Sequence, residues 1–454
     1  MKLGNVFYVG QENEIGHHAA PLANLRDVKQ EPVSGVLQQA RPGDLAIFFS
    51  EHFHETRSAI RQLQESNVAT LYAIDGILEW RNAWVNSADE PACPWTMRPA
   101  LCHKVACMGP AQYRVLRNWG NQSRLEMVGL PRLDPWIEDR PSLSAAVDRW
   151  RVRQSNRVLV MTAKCPGFTP YQKATTVKSL SDLKNYFDGV TGPDASFQVT
   201  WRLTDGLADE IGVENRMTGI QGEELRAQIQ AADFVVTTPS TAMVESMLEG
   251  RPVVMLDYHR MPHLTEAAWK IQSPEDITPC FDKLTNATQE GEADYARRMV
   301  WQETLLEDTL DCAPNATQRL NTLVDRMLIE AHLATQEKRP LDFSKPLLTQ
   351  EDRQGPLVNR SVDFSLLYPG APEFAECEPL VLQQQTAELR RHNQQLELQI
   401  AQLQKELSEA HGIFEQIHRH PIAGPVVRSR QKMLDWWHAV RQKGAAQESE
   451  RATS

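Results

Sequence analysis

Short runs of consecutive apolar residues alternate with stretches whose apolar residues fall three and four apart. NVFYV at Asn5–Val9, LAIFF at Leu45–Phe49, VATLYAI at Val68–Ile74 and KVACM at Lys104–Met108 are too short for helices. Each reads as a strand buried on both faces. Helical periodicity fills the gaps, at Glu55–Glu65 and Ala111–Trp119 among others. The alternation pauses near Pro131–Pro141. It resumes with strands at Arg157–Met161, Ser196–Trp201, Phe234–Thr238 and Val253–Asp257. Helices are predicted between and after them, at about Leu180–Phe187, Glu223–Ala231, Thr241–Glu249, Pro274–Leu284, Ala293–Leu310 and Ala316–His332. Alternating strand and helix implies parallel sheets covered by helices. The expected class is therefore α/β: two doubly wound, Rossmann-like domains facing across a cleft, over residues 1–140 and 141–335.

The pattern then breaks twice. Residues 336–379 carry six prolines and no clean period, as a linker or an extended surface strap does. From Leu382 a heptad begins. Leu382, Leu389, Leu396 and Leu403 are seven apart, with Thr386, Asn393, Ile400 and Leu407 interleaved. This predicts a coiled coil over 380–417 and a parallel homodimer, with Asn393 fixing the register; a single amphipathic helix packed on the body is the alternative. Residues 418–454 open with a basic helix carrying six cationic residues against Asp435, with Trp437 on its apolar side, and close in a polar tail. Such a helix suits an anionic membrane surface, or docking on the acidic body or on a partner.

Composition narrows the classes. The chain has 454 residues, 41% hydrophobic and 24% charged, with net charge −11. That is the mix of a globular protein of about two or three domains. So acidic a chain is not expected to bind nucleic acid. Its seven scattered cysteines fit a reducing compartment. No signal peptide and no transmembrane run is read, so the expected location is cytoplasmic, with peripheral contact at the inner face of the membrane through the basic helix. Cys102, His103 and Cys107 could be taken as metal ligands, but a buried strand with small apolar cysteines fits better.

The most informative segment is ADFVVTTPSTAMVESMLEGRPVVMLD, Ala232–Asp257. A strand ends in a polar turn, Ser240 or Thr241 caps the next helix, and Glu245 lies one turn beyond Thr241 on the same face. Ligands of open α/β sheets collect at the carboxyl ends of strands, and a helix N-terminus there suits a diphosphate. A carboxylate one turn in can accept hydrogen bonds from ribose hydroxyls. Two further loops follow strands: TAKCPGFT, with Lys164 to neutralise phosphate and Gly167 for close backbone approach, and WRLTDG, with Arg202 as a second phosphate candidate. In the first half Asp75, in AIDG directly after a strand, is the first choice of catalytic base. A turn-forming Asp-Gly is its competing reading. Gly16, His17 and His18 are a second option, and Glu51, His52 and His54 a third.

The Ala232–Asp257 segment resembles the donor site of GT-B fold glycosyltransferases. VGLPRLD at Val128–Asp134 is similar to the segment that ends the first domain in capsule and teichoic-acid transferases, and GPAQYRVLRNWG to what precedes it. The order of pieces fits over about residues 1–332. The resemblance implies that Ser240 and Thr241 hold a donor diphosphate, that Glu245 holds the ribose, and that basic residues such as Lys164 and Arg202 assist. Gly16-His17-His18 is loosely similar to the Gly-Gly-His turn after the first strand of lipid-linked N-acetylglucosaminyl transferases. The implied activity is metal-independent transfer of a sugar from a nucleotide-activated donor to a surface polysaccharide or glycolipid, with the nucleotide sugar as co-substrate and no cofactor. A sugar-nucleotide 2-epimerase on the same fold is one alternative, though PSTAMVE departs from its donor loop. A non-catalytic scaffold assembled through the coiled coil is another.

Overall fold

The structure, a computed structural model, describes residues 3–78, 97, 99–153, 155–164, 170–190, 197–217, 223–260, 265–353, 402 and 432. The heptad segment, the basic helix and the second half of the proline-rich stretch lie outside the described residues, apart from Gln402 and Lys432.

Eleven strands are described, in two all-parallel sheets. The first is built from β1 (Val6–Val9), β2 (Lys29–Glu31), β3 (Leu45–Phe48), β4 (Ala69–Ala73), β5 (Lys104–Cys107) and β6 (Leu125–Met127), in the order β2-β1-β3-β4-β5-β6. The second contains β7 (Asn156–Met161), β8 (Phe197–Arg202), β9 (Phe234–Thr237), β10 (Val253–Leu256) and β11 (Trp269–Ile271), in the order β11-β10-β9-β7-β8. The apolar runs become the central strands, because a residue on either face of such a strand meets a helix layer. Val6, Tyr8, Leu45, Ile47, Ala69 and Leu71 face one layer, and Phe7, Val9, Ala46, Phe48 and Tyr72 the other; all are buried.

The order of each sheet reverses once. In the first sheet the chain leaves β1 toward β2 on one side and returns to β3 on the other. In the second it leaves β7 toward β8 and returns to β9. These reversals open crevices at the strands' carboxyl ends, between β1 and β3 and between β7 and β9, where open α/β sheets bind ligands.

The last long helix, Ala316–Glu337, covers the first sheet rather than the second. Leu320, Leu323, Val324, Met327, Leu328 and Ala331 pack on the Val6–Tyr8–Leu45–Ile47 face. VGLPRLD explains how the helix is placed. Gly129 has φ +87°, and a Cβ there would lie 2.9 Å from both Ala316 Cβ and an Arg319 nitrogen. The Asp134 carboxylate accepts from the Ala316 and Thr317 N–H groups at 2.9 and 2.8 Å, satisfying the start of the helix. Buried Arg319 donates to Val128 O at 2.8 Å.

The chain then runs along the first sheet as a strap. Phe343 and Leu348 enter its core. Lys104, wholly buried on β5, pairs with Glu126 on β6 at 2.8 Å and donates to Lys345 O at 2.7 Å. Glu126 in turn accepts from Leu347 and Leu348 N–H at 2.7 and 3.1 Å. One buried ion pair therefore holds two strands and the strap together.

Candidate active site

The first lobe brings a histidine pair to its crevice. Gly10, with φ +151°, turns the chain out of β1, and Glu12–Ala23 forms a helix. Gly16, His17 and His18 therefore sit within a helix and not in the turn that the resemblance implies. Pro21 lies in the same helix and supplies no N–H to the carbonyl of His17. The two imidazole rings lie with centroids 3.8 Å apart and planes tilted by 46°, and His18 lies 5.1 Å from the ring of Phe49, at the end of β3. His18 Nε2 is 3.7 Å from Asp75 Oδ2, a contact just outside hydrogen-bond range. His18 is buried, while the Asp75 side chain is half exposed.

Both imidazoles are held neutral. Burial, then Arg132 and Lys164, push His17 down to about 4. Burial, then Arg132, His17 and Lys164, push His18 to about 2, and the half-solvated Asp75 carboxylate does not offset them. Arg132 and Lys164, one from each lobe, are thus cations that act on both imidazoles.

The second lobe supplies the helix Thr241–Leu248, which starts after β9. Ser240 occupies its N-cap position, but its hydroxyl makes no capping bond and lies 3.3 Å from Thr237 Oγ1. The sequence predicts Ser240 or Thr241 as the cap of this helix; Ser240 takes the position without the side-chain bond. The loops after β7, β8 and β9 are tied together by threonines. Ala163 N–H donates to Thr238 Oγ1 at 2.8 Å, and Thr204 N–H donates to Thr162 Oγ1 at 3.0 Å. Lys164, exposed, extends from this knot. Gly167 lies outside the described residues. Arg202 is buried and turned toward Glu224 and Gln228, each at 3.3 Å. Burial lowers its pKa, while Glu224 and Glu245 oppose that.

The lobes meet at this helix. The AIDG turn after β4 rests on its first residue: Ile77 N–H donates to Thr241 Oγ1 at 3.2 Å. A Cβ on Gly76 would come 2.1 Å from that oxygen, so only glycine permits the approach. Gln112 fixes the turn from behind by donating to Gly76 O at 3.2 Å. Asp75 is thereby held beside the positive end of a helix 166 residues away in sequence. One turn further, Glu245, 4% exposed, forms an ion pair with Arg132. Arg132 was not among the residues singled out from the sequence. It is the fifth residue of VGLPRLD, in the turn Pro131–Leu133, and its side chain reaches across to Glu245 of the second lobe.

Other candidates have structural duties. Glu51 is fully buried and accepts from Leu101 and Cys102 N–H at 2.8 Å each. His103 Nδ1 lies 3.0 Å from Thr70 Oγ1, and the Cys102 and Cys107 thiols are buried, with pKa values pushed up by that burial. Among the described residues no cluster of three His, Cys, Asp or Glu side chains could hold a metal ion, and no helix is long and apolar enough to cross a membrane.

The depressed histidines make stability pH-dependent. His17, His52 and His103 are each held at about 4, chiefly by burial, and His18 at about 2. The unfolded chain takes up these protons near 6.5 and the folded chain does not. Between about pH 6.5 and 4 the unfolded state therefore binds more protons, and stability falls as pH falls. Unfolding free energies by denaturant at pH 7, 6 and 5 are expected to decrease in that order, and less steeply in His17→Gln/His18→Asn. A flat profile from pH 7 to 5 would contradict the buried, neutral state.

No family model and no curated protein matches the chain. Solved structures do. The Staphylococcus aureus MnaA–UDP complex matches at 10% identity over 75% of this chain and 100% of its own, with TM-score 0.43. The wall teichoic acid polymerase TagF matches at 12% identity over 72% and 89%, with TM-score 0.45. A Methanocaldococcus jannaschii UDP-GlcNAc 2-epimerase, in complex with UDP-GlcNAc and UDP, matches at 10% identity over 66% and 99%, with TM-score 0.43.

Proposed function

We propose that the chain is a metal-independent glycosyltransferase that moves a sugar from a nucleoside diphosphate to a glycan or glycolipid hydroxyl. The observation that carries this reading is the seating of the Asp75–Gly76 turn on Thr241. It places a half-exposed carboxylate, with His18 beside it, at the N-terminus of the helix that would receive the diphosphate.

In this reading the helix start, Ser240, Thr241 and Lys164 bind the diphosphate, with Arg202 and Gly167 as further donor-side residues. Glu245 accepts from the ribose. Asp75 takes the acceptor's hydroxyl proton as the new bond to the anomeric carbon forms and the nucleoside diphosphate departs with the electrons of the broken C–O bond. His18 and His17, uncharged, border the acceptor side. Anionic leaving groups are stabilised here by helix dipole and side-chain cations. The proposal includes the homodimer through 382–417 and a peripheral contact of the basic helix with anionic membrane.

The non-catalytic scaffold is the second reading. It is favoured by Arg132, which occupies the carboxylate that ribose would need. Calorimetry with uridine, cytidine, guanosine, adenosine and thymidine diphosphates, followed by nucleotide-sugar turnover with and without glycan acceptors, separates the readings. Binding of one diphosphate and its acceptor-dependent release from the sugar are expected. Binding without turnover would indicate a scaffold, and an isomerised donor formed without acceptor an epimerase. No binding across the panel would overturn the nucleotide reading.

A further inference from the structure

Arg132 is held largely out of solvent against a buried carboxylate of the other lobe. Its side chain is 11% exposed, it crosses from the first lobe to pair with Glu245, and its Nε is buried without a hydrogen-bond partner. A neighbouring polar atom is in the same condition: His17 Nε2 is also buried and unpartnered. A guanidinium has five N–H donors in a planar fork. Here part of that fork is spent on one carboxylate and part on nothing. A buried donor left without an acceptor is costly, so the arrangement is one that an incoming acceptor would improve.

We propose that Arg132 is a partner-exchanging ligand of the donor: the ribose hydroxyls take over Glu245, and the released guanidinium turns its fork onto the diphosphate. The exchange rests on the nucleotide-sugar reading above and adds to it a residue and an order of contacts. Both halves of the ligand are needed. A nucleoside alone must pull Glu245 away from a buried arginine and leave that charge unmatched. Pyrophosphate alone must pull Arg132 away and leave the carboxylate unmatched. A nucleoside diphosphate supplies both replacements at once. A bidentate guanidinium–phosphate contact is geometrically specific in a way that an ammonium is not. The preference that follows is for the intact diphosphate ester over either fragment.

Two measurements test the exchange. The first uses the wild-type protein, so folding of a variant is not in question. Affinity for the nucleoside whose diphosphate binds best is measured with and without inorganic pyrophosphate. Each fragment pays part of the other's cost, so pyrophosphate is expected to tighten nucleoside binding at least 5-fold, and the nucleoside to tighten pyrophosphate by the same factor. Independence or competition overturns the exchange. The second uses Arg132→Gln and Arg132→Lys, with melting curves as the check on folding. In Arg132→Gln the nucleoside diphosphate is expected to bind at least 10-fold more weakly, while the nucleoside binds as well as before or better, because Glu245 no longer has to be freed. Arg132→Lys retains only part of the diphosphate affinity. Equal loss for both ligands would make Arg132 a framework residue, and equal gain would make it a simple block; either result overturns the proposal. If the wild type binds no nucleoside diphosphate at all, the nucleotide reading itself fails. If it binds one with no dependence on Arg132, only the exchange fails.

Discussion

Replacing Asp75 by Asn is expected to leave nucleotide affinity and folding intact and to lower transfer by about 10²–10⁴-fold, the usual worth of a positioned general base. The side chain is 51% exposed, and the backbone at Gly76 O and Ile77 N–H makes the turn's bonds to Gln112 and Thr241. The amide preserves shape and removes proton affinity. Steady-state rates beside calorimetric donor affinity give the decisive split, since kcat should fall while donor binding stays. Near-normal turnover would move the base to His18. That imidazole is held far below neutrality by burial and two cations, so it could serve only once an anionic donor had offset Arg132 and Lys164. Loss of folding in Asp75→Asn would instead make the residue a turn former.

The largest stability effect is expected at the far side of the same lobe. Lys104 and Glu126 are 0% and 1% exposed, and Glu126 also accepts from Leu347 and Leu348 N–H. Glu126→Ala leaves an ammonium charge in the core and two N–H groups without their acceptor. A cost of about 3–5 kcal/mol is typical when one partner of a buried pair is removed. Pairing the change with Lys104→Met is expected to recover the part due to the stranded charge. The part due to the strap remains, because the two N–H groups still lack a carboxylate. Denaturant midpoints of the two variants measure both parts. A single-variant cost below about 1 kcal/mol would show that water reaches the pair.

The residues that were legible from sequence are those whose environment is set locally. The central strands β1, β3, β4, β5, β7, β9 and β10 announce themselves because both of their faces are buried. Three strands escaped notice: KQE in β2, LEM in β6 and WKI in β11. Each is three residues long and lies at the outer edge of its sheet, where no apolar run is required. The site was legible in part for the same reason. Asp75, Lys164 and Thr241 follow strands, and a strand's end is visible in the pattern. His17 and His18 stand out for their chemistry, although the loose resemblance implies a turn where the structure has a helix. Arg132 escaped because its role depends on Glu245, 113 residues away, and no local rule pairs them. The strand order that creates the two crevices is likewise a long-range property. Nor does the amphipathic pattern of Ala316–Glu337 say which sheet its apolar face will cover.

That last helix has a consequence for how the protein is made. Strands β1, β3 and β4 of the face it covers are complete by Ala73, yet Leu320, Leu323 and Val324, which pack on them, emerge about 250 residues later. At about 5–20 residues per second of synthesis, the delay is roughly 10–50 s. During that time Val6, Tyr8, Leu45 and Ile47 have no helix over them from this quarter. The second lobe, whose strands are contiguous in the chain, can close first. On the ribosome, then, the half of the protein translated first is the half finished last, and the part of its sheet that awaits the last helix is the surface that folding helpers would need to guard.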